Sequence, residues 1–310
     1  MWWTEELSFL SILSLYITCI QSFSLASTST FSVQPKIIYQ NNFLVAIDKP
    51  AGLSFHSEFE AGAVQLTRDI LGEGEEVYPV HRLDKTTSGI LLFARDSSMA
   101  AQLSEKFAQR QVVKYYVGLS DRRPSKKMGT MSGDIVQSRR SGYKLLRSQS
   151  NPAITKFISF GVPGKQSRRS LRAFIFRPLT GKTHQLRITA KALGAPLLGD
   201  VIYADRKAAK LEDRGYLHAC AIRVPSLIDS VGKTTKPIQI ICPPTMGREW
   251  SGNEKDNNNY EHDDDNNNDD DVITCVEQQG DWFGALFPMQ LMEQEGEWFS
   301  NSIILKSTIS

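Results

Sequence analysis

Residues 81–94 constrain this chain more than any other stretch. The charged turn His81-Arg82-Leu83-Asp84-Lys85-Thr86-Thr87-Ser88-Gly89 runs straight into the apolar segment Ile90-Leu91-Leu92-Phe93-Ala94. A continuous apolar run of that length beside turn residues reads as a buried strand, so the rest of the chain has to cover it. At its entrance one carboxylate, Asp84, stands between two cations, Arg82 and Lys85. Flanking positive charge favours the ionised form of an acid, which makes Asp84 a candidate nucleophile or base. The competing reading is a turn held by local hydrogen bonds from Asp84, Thr86, Thr87 and Ser88.

The segments on either side supply the cover. Residues 37–39 and 43–47 are two short strands about Asn41-Asn42, followed by a proline- and glycine-punctuated loop over 48–52. Residues 63–71 form a helix closed by Gly72 and Gly74. The stripe Met99, Leu103, Phe107 predicts a second helix over 98–110, and β-branched and aromatic residues make 112–119 a strand. Residues 121–150 are rich in Ser, Arg, Lys and Gly and read as a mobile basic excursion, with a hairpin as its candidate structure. Residues 155–162 and 171–176 form an antiparallel pair. A helix over 183–193 is expected to be capped by Thr183 and closed by Gly194, and 217–224 and 238–241 are further strands. Strands dominate, mostly in antiparallel-compatible pairs with a few helices between them. That predicts an α+β domain on a mixed, largely antiparallel sheet with flanking helices.

Charge is segregated along the chain. Residues 1–32, 251–271 and 272–310 carry net charges of −2, −8 and −4, so residues 33–250 hold +16 of a whole-chain +2. A globular part that basic points to a polyanionic partner, RNA or DNA. The chain therefore divides into a leader (1–32), a basic globular domain (33–250), an Asn/Asp-rich linker expected to be disordered (251–271) and an aromatic, acidic tail of unassigned role (272–310). The apolar part of the leader is short for a membrane span, and a serine-rich run follows it. An organellar destination, plastid or mitochondrion, is expected, with the cytoplasm as the alternative. The four cysteines, Cys19, Cys220, Cys242 and Cys275, lack CxxC spacing and a matching histidine cluster. No zinc site is expected, and Cys220 and Cys242 read as buried thiols.

Three stretches taken together go further: the turn around Asp84, the strand Lys114-Tyr115-Tyr116, and Gly181-Lys182-Thr183-His184-Gln185-Leu186-Arg187 followed by Gly199-Asp200. With the lead-in Lys49-Pro50-Ala51-Gly52, His56 and the later Leu217-His218-Ala219, this ordered set resembles the RluA-like family of pseudouridine synthases from about Lys36 to Pro244. The resemblance implies the pseudouridine synthase catalytic fold. It also implies an RNA partner, rRNA or tRNA, and a reaction in which uridine is detached from its ribose, turned and rejoined through carbon. No cofactor and no metal are implied, and a monomer without stable membrane association of the core is expected. Asp84 takes the place of the carboxylate that attacks the nucleoside, at the sugar or at the base. Tyr116 takes that of the tyrosine stacked on the target base, and Arg187 that of the arginine paired with the aspartate. Arg82, Thr87 and Lys182 are further candidates for RNA contact.

Elementary chemistry runs parallel to these roles. Breaking a sugar C–N bond develops positive charge that a carboxylate offsets. A buried arginine keeps its proton and binds a carboxylate through two donors, and an aromatic platform replaces the stacking a flipped base loses. Taken singly, Tyr116 is an ordinary strand aromatic; a solvated helix charge is the competing reading for Arg187, against which Leu186, Ile188 and the tight turn before it point to partial burial. His81 and His184 read as scaffold. Thr180-Gly181-Lys182-Thr183 lacks the upstream glycine of a nucleotide-binding loop. Four positions depart from the family pattern: Lys182 replaces a usual arginine, Ser57 a proline, and Ile188-Thr189 a frequent Val-His pair. Lysine at 182 loses a bidentate grip, which bears on which RNA is held. The alternative function is an RNA-binding protein that kept the fold without the chemistry.

Overall fold

The computed structural model describes residues 34–56, 61–138, 142–163, 170–229, 231–251 and 272–274. The leader (1–32), nearly all of the acidic linker and the tail beyond 274 lie outside the described residues, as does Ser57. All described residues but Gln34 belong to one compact unit, Pro35–Ser310.

Its frame is one large sheet. In chain order the strands are β1 (Lys36–Gln40), β2 (Leu44–Lys49), β3 (Tyr78–Pro79), β4 (Ser88–Ala94), β5 (Val113–Ser120), β6 (Met128–Gly133), β7 (Ile135–Gln137), β8 (Tyr143–Leu145), β9 (Ala153–Pro163), β10 (Ser170–Pro178), β11 (Leu217–Val224), β12 (Ile238–Ile241) and β13 (Val272–Thr274). The spatial order is β1-β2-β4-β11-β5-β10-β9-β6, with β3 on β4, β12 on β11 and β13 on β12. Every pairing is antiparallel except β4–β11 and β12–β13. The helices are α1 (Ala63–Leu71), α2 (Ser97–Ala108), α3 (Gln185–Ala192) and the short α4 (Arg206–Ala209) and α5 (Arg248–Ser251). This is the α+β architecture expected. No described helix is long and apolar enough to cross a membrane.

Strand β4 explains its own sequence. All seven of its residues are buried, because both faces are covered. Leu91 and Phe93 pack with Leu186 and Ala190 of α3, while Ile90, Leu92 and Ala94 pack with Met99 and Leu103 of α2. The same period of two sorts β5: Tyr116 joins the α3 side, and Tyr115, Val117 and Leu119 the other. Strand parity thus aims Tyr116 at the helix that carries Arg187.

Two expectations need correction. Residues 121–150 are more than an excursion: β7 and β8 form the hairpin, but β6 is the edge strand of the main sheet, paired to β9 from Met128↔Ile158 to Gly133↔Ala153. Thr183 does not cap α3. The helix begins at Gln185, and His184 occupies the preceding position with φ 56°. The cause is the Gln185 side chain. Its Oε1 accepts from the Lys182 amide (3.0 Å) and the Thr180 hydroxyl (2.8 Å), and its Nε2 donates to the Ile154 carbonyl (3.0 Å). Two residues of the approach, Thr180 and Lys182, are tied to that one amide, so the chain turns left-handed at His184 and the helical path starts after it.

Candidate active site

The turn that presents Asp84 is anchored at both ends. Leu83 is buried in the α3-side core, and the Thr87 amide donates to the Asp84 carbonyl at 3.0 Å. Beneath it, the fully buried Lys49 donates from Nζ to the carbonyls of Pro50 and Leu53 (2.8 Å each) and to that of Lys85 at 3.4 Å. Burial, and then the Arg214 charge, lowers the Lys49 amine to about 7. His81 fits the scaffold role expected of it: its Nε2 accepts from the Leu92 amide at 2.9 Å, and its ring stacks on Phe107 at 4.9 Å. Burial, with the nearby Lys114 charge, drops it to about 3, so it stays neutral.

Helix α3 delivers the partner. Arg187 Nη1 donates to Asp84 Oδ2 at 3.1 Å, while Nε and Nη2 each reach a different oxygen of Asp200 at 2.8 Å. Arg187 and Asp200 are each only 4% exposed. Burial alone would lower the guanidinium, but the hydrogen bonds and charge of Asp200, joined by those of Asp84, hold it above its ordinary value. Asp200 itself is fixed by the amides of Ile202 and Tyr203, both at 3.1 Å. Only one Asp84 oxygen is used in this way; Oδ1 has no hydrogen-bond partner among the described residues.

Asp84 opens onto a cavity of about 690 Å³. Tyr116 lines it, 9% exposed, and its hydroxyl likewise has no hydrogen-bond partner among the described residues. Burial and the Asp84 charge push that phenol above its ordinary value. The three residues first singled out are therefore brought together. Of the other candidates, exposed Arg82 and half-buried Lys182 line the cavity, and Lys182 Nζ donates to Asn151 Oδ1 at 2.8 Å. Thr87 lines the cavity too, though only 3% exposed, and its amide closes the turn.

Two neighbours were missed. Asp200 stood in a quoted motif without a role, because nothing in its local pattern shows which cation it meets. His184, read as scaffold alone, lies with Nε2 3.9 Å from Asp84 Oδ2. Its Nδ1 is 2.8 Å from the Tyr203 hydroxyl, which accepts from the Tyr143 amide at 3.0 Å. Burial keeps the imidazole below its ordinary value. The unusual φ at His184 was its one visible signal, and φ is not written in the sequence.

A second polar cluster lies behind the turn. Ligand atoms of Asp48, His218 and Cys242 come within 4.8 Å of one another, a grouping that a search for Cys/His spacing could not find. Its hydrogen bonds argue against a cation. Arg214 Nη2 donates to Ser88 Oγ, so the Ser88 hydroxyl gives its proton to His218 Nδ1 (2.8 Å) and leaves His218 Nε2–H for the Cys242 carbonyl (2.8 Å). Both ring nitrogens are occupied, and a guanidinium sits among them. Cys220 and Cys242 are buried and in no disulfide among the described residues.

Residues 43–192 match the RNA pseudouridylate synthase family. Over 216 residues the chain is 38% identical to an uncharacterized RNA pseudouridine synthase of Haemophilus influenzae, covering 69% of this chain and 90% of that protein. It is 33% identical over 205 residues to the ribosomal large subunit pseudouridine synthase C of Rickettsia prowazekii, covering 64% of this chain and 66% of that one. Among solved structures, human RNA pseudouridylate synthase domain containing 4 superposes with a TM-score of 0.52 at 26% identity, over 67% of this chain and 87% of its own. Human RNA pseudouridylate synthase domain containing 1 gives 0.58 at 23% identity, over 71% and 88%, a likeness of fold.

Proposed function

We propose that this chain, which belongs to the RNA pseudouridylate synthase family and is therefore an isomerase acting on RNA, converts one or a few uridines of ribosomal RNA to pseudouridine with Asp84 as its catalytic carboxylate. The ribosomal target is taken from the large-subunit relatives. The reaction breaks N1–C1′ and forms C5–C1′, with one proton leaving C5 and one arriving at N1. Nothing is oxidised or reduced, so no cosubstrate is needed.

The observation that carries the reading is the half-used carboxylate. Arg187 orients Asp84 through Oδ2, Oδ1 has no hydrogen-bond partner among the described residues, and Asp84 shares its cavity with a tyrosine whose hydroxyl likewise has none among them. Because Asp200 already takes two donors of the same guanidinium, Arg187, Asp84 and Asp200 together carry a formal charge of −1. That suits the positive charge that develops at C1′ as the glycosidic bond breaks. Tyr116 provides the face against which a flipped base can stack, and Asp84, fixed by both turn and salt bridge, meets it with little reorganisation.

The test is to incubate the protein with rRNA and tRNA lacking the modification and to map pseudouridine by carbodiimide-dependent primer stops. Wild type is expected to add stops at one or a few uridines, and Asp84→Asn to add none. Identical maps from the two proteins would refute the assignment, and would leave the alternative of an RNA-binding protein without the chemistry.

A further inference from the structure

The cavity in front of Asp84 has more room, and more charge, than one nucleoside calls for. At about 690 Å³ it lies well inside the range of about 300–1,000 Å³ that buries a whole drug-sized ligand. The target base and ribose belong at the Asp84–Tyr116 end. Another wall is built where α2 turns into β5, and it carries Phe107, Arg110 and Lys114.

Two features of that wall stand out physically. Lys114 is half-buried with its Nζ 5.3 Å from the Phe107 ring centroid, and it makes no hydrogen bond or ion pair with any described residue. Burial accordingly depresses its amine. A desolvated charge without a partner is unfavourable in the folded protein, and a bound anion removes the deficit. The Arg110 guanidinium makes no such bond with a described residue either, and its backbone is unusual. It follows the last residues of α2 with φ 61°, while its amide donates to the Phe107 carbonyl at 3.1 Å. That left-handed position after a helix normally belongs to glycine, and a bulky residue there is strained. Here the strained residue is exposed on the cavity wall.

We propose that Lys114 and Arg110 form a subsite for a backbone phosphate next to the target uridine, so that the cavity takes up a short RNA strand and not an isolated nucleoside. This rests on the RNA-modifying function above. The chemistry recognised is a phosphodiester: Lys114 offers a point charge in an apolar setting, and Arg110 offers planar paired donors.

The experiment uses a synthetic RNA stem–loop carrying the mapped uridine, with the linkage on its 5′ or its 3′ side replaced singly by a neutral methylphosphonate. Binding is measured in the Asp84→Asn background, which leaves the RNA unturned. One of the two replacements is expected to weaken binding roughly tenfold. Adding Lys114→Met, which keeps the stem on Phe107, is expected to weaken the unmodified RNA to a similar degree. It should also lower the salt slope by about one and abolish most of the effect of that same methylphosphonate. Arg110→Gly serves as the second variant: it relieves the left-handed strain, so its melting temperature should hold or rise while RNA binding falls. If both methylphosphonates act equally with and without Lys114, or Arg110→Gly binds RNA unchanged, the subsite is wrong. If the wild type fails to isomerise the unmodified stem–loop, the fault lies with the function itself.

Discussion

Arg187 serves two carboxylates with one guanidinium, and how its donors are divided sets what Asp84 can do. Asp200 takes Nε and Nη2, leaving Nη1 for Asp84, so the bridge orients Asp84 without spending the whole cation on it. Asp200→Asn removes one acceptor, turns an amide toward the guanidinium and releases Arg187 toward Asp84. Breaking one side of a buried pair weakens folding by about 3–5 kcal/mol. The variant should therefore unfold at lower urea, and kcat should fall about a hundredfold, because misplaced catalytic groups lose on that scale. The half-saturating RNA concentration should stay within about threefold, since the RNA-facing cations are untouched. Release of the C5 proton from tritiated uridine in RNA reports the rate. A kcat equal to wild type in the folded fraction would remove Asp200 from the positioning of the site.

At the scale of elements, the catalytic turn depends on how closely β4 and β11 cross. Their parallel contact is two residues long, His218↔Ser88 and Ala219↔Gly89, and Gly89 sits in it at φ +100°. A Cβ added there would lie 2.3 Å from the Ala219 carbonyl oxygen, a backbone atom that cannot swing away. Gly72, just after α1, has a comparable φ of +106° but open space around it. The pair separates strain from collision. Gly72→Ala should lose about 1–2 kcal/mol from the backbone alone, and Gly89→Ala at least twice that, read from urea unfolding. Equal losses would mean that β4 can shift away from β11 freely. The same close crossing explains how a turn rich in charge can emerge from the middle of a buried sheet: β4 and β11 hold its exit and Lys49 holds its underside.

For the whole molecule, the dominant quantity is the +16 held by residues 33–250 against an acidic remainder. A protein that neutralises RNA phosphates releases counterions, and log K falls by about 0.7 per single-strand phosphate for each decade of salt. With about four to eight phosphates engaged, the slope should lie between about −3 and −6 when binding is followed by fluorescence anisotropy from 50 to 300 mM salt. A slope shallower than about −1 would mean that the charge serves solubility and not RNA.

Most of the elements and the character of the turn are legible in the local pattern of the chain. Periodicity is local, so the buried run of β4, the stripe of α2 and the exact spans of β11 and β12 could be read directly. The meeting of Asp84 with Arg187 was also legible, but only through a motif resemblance, since 103 residues separate them. Tertiary structure decided the rest. Residues 128–133 (Met-Gly-Thr-Met-Ser-Gly) have little strand character, yet they become β6 because the edge of β9 offers an unpaired row of backbone partners. Thr183 has the chemistry of a cap, yet Gln185 outcompetes it through bonds to a distant strand. Above all, the sequence counts charges but does not pair them. That Asp200 is held by Arg187, while Lys114 meets the Phe107 ring but no carboxylate among the described residues, follows from which side chains fold into one low-dielectric space, where a charge must find its opposite or wait for a ligand.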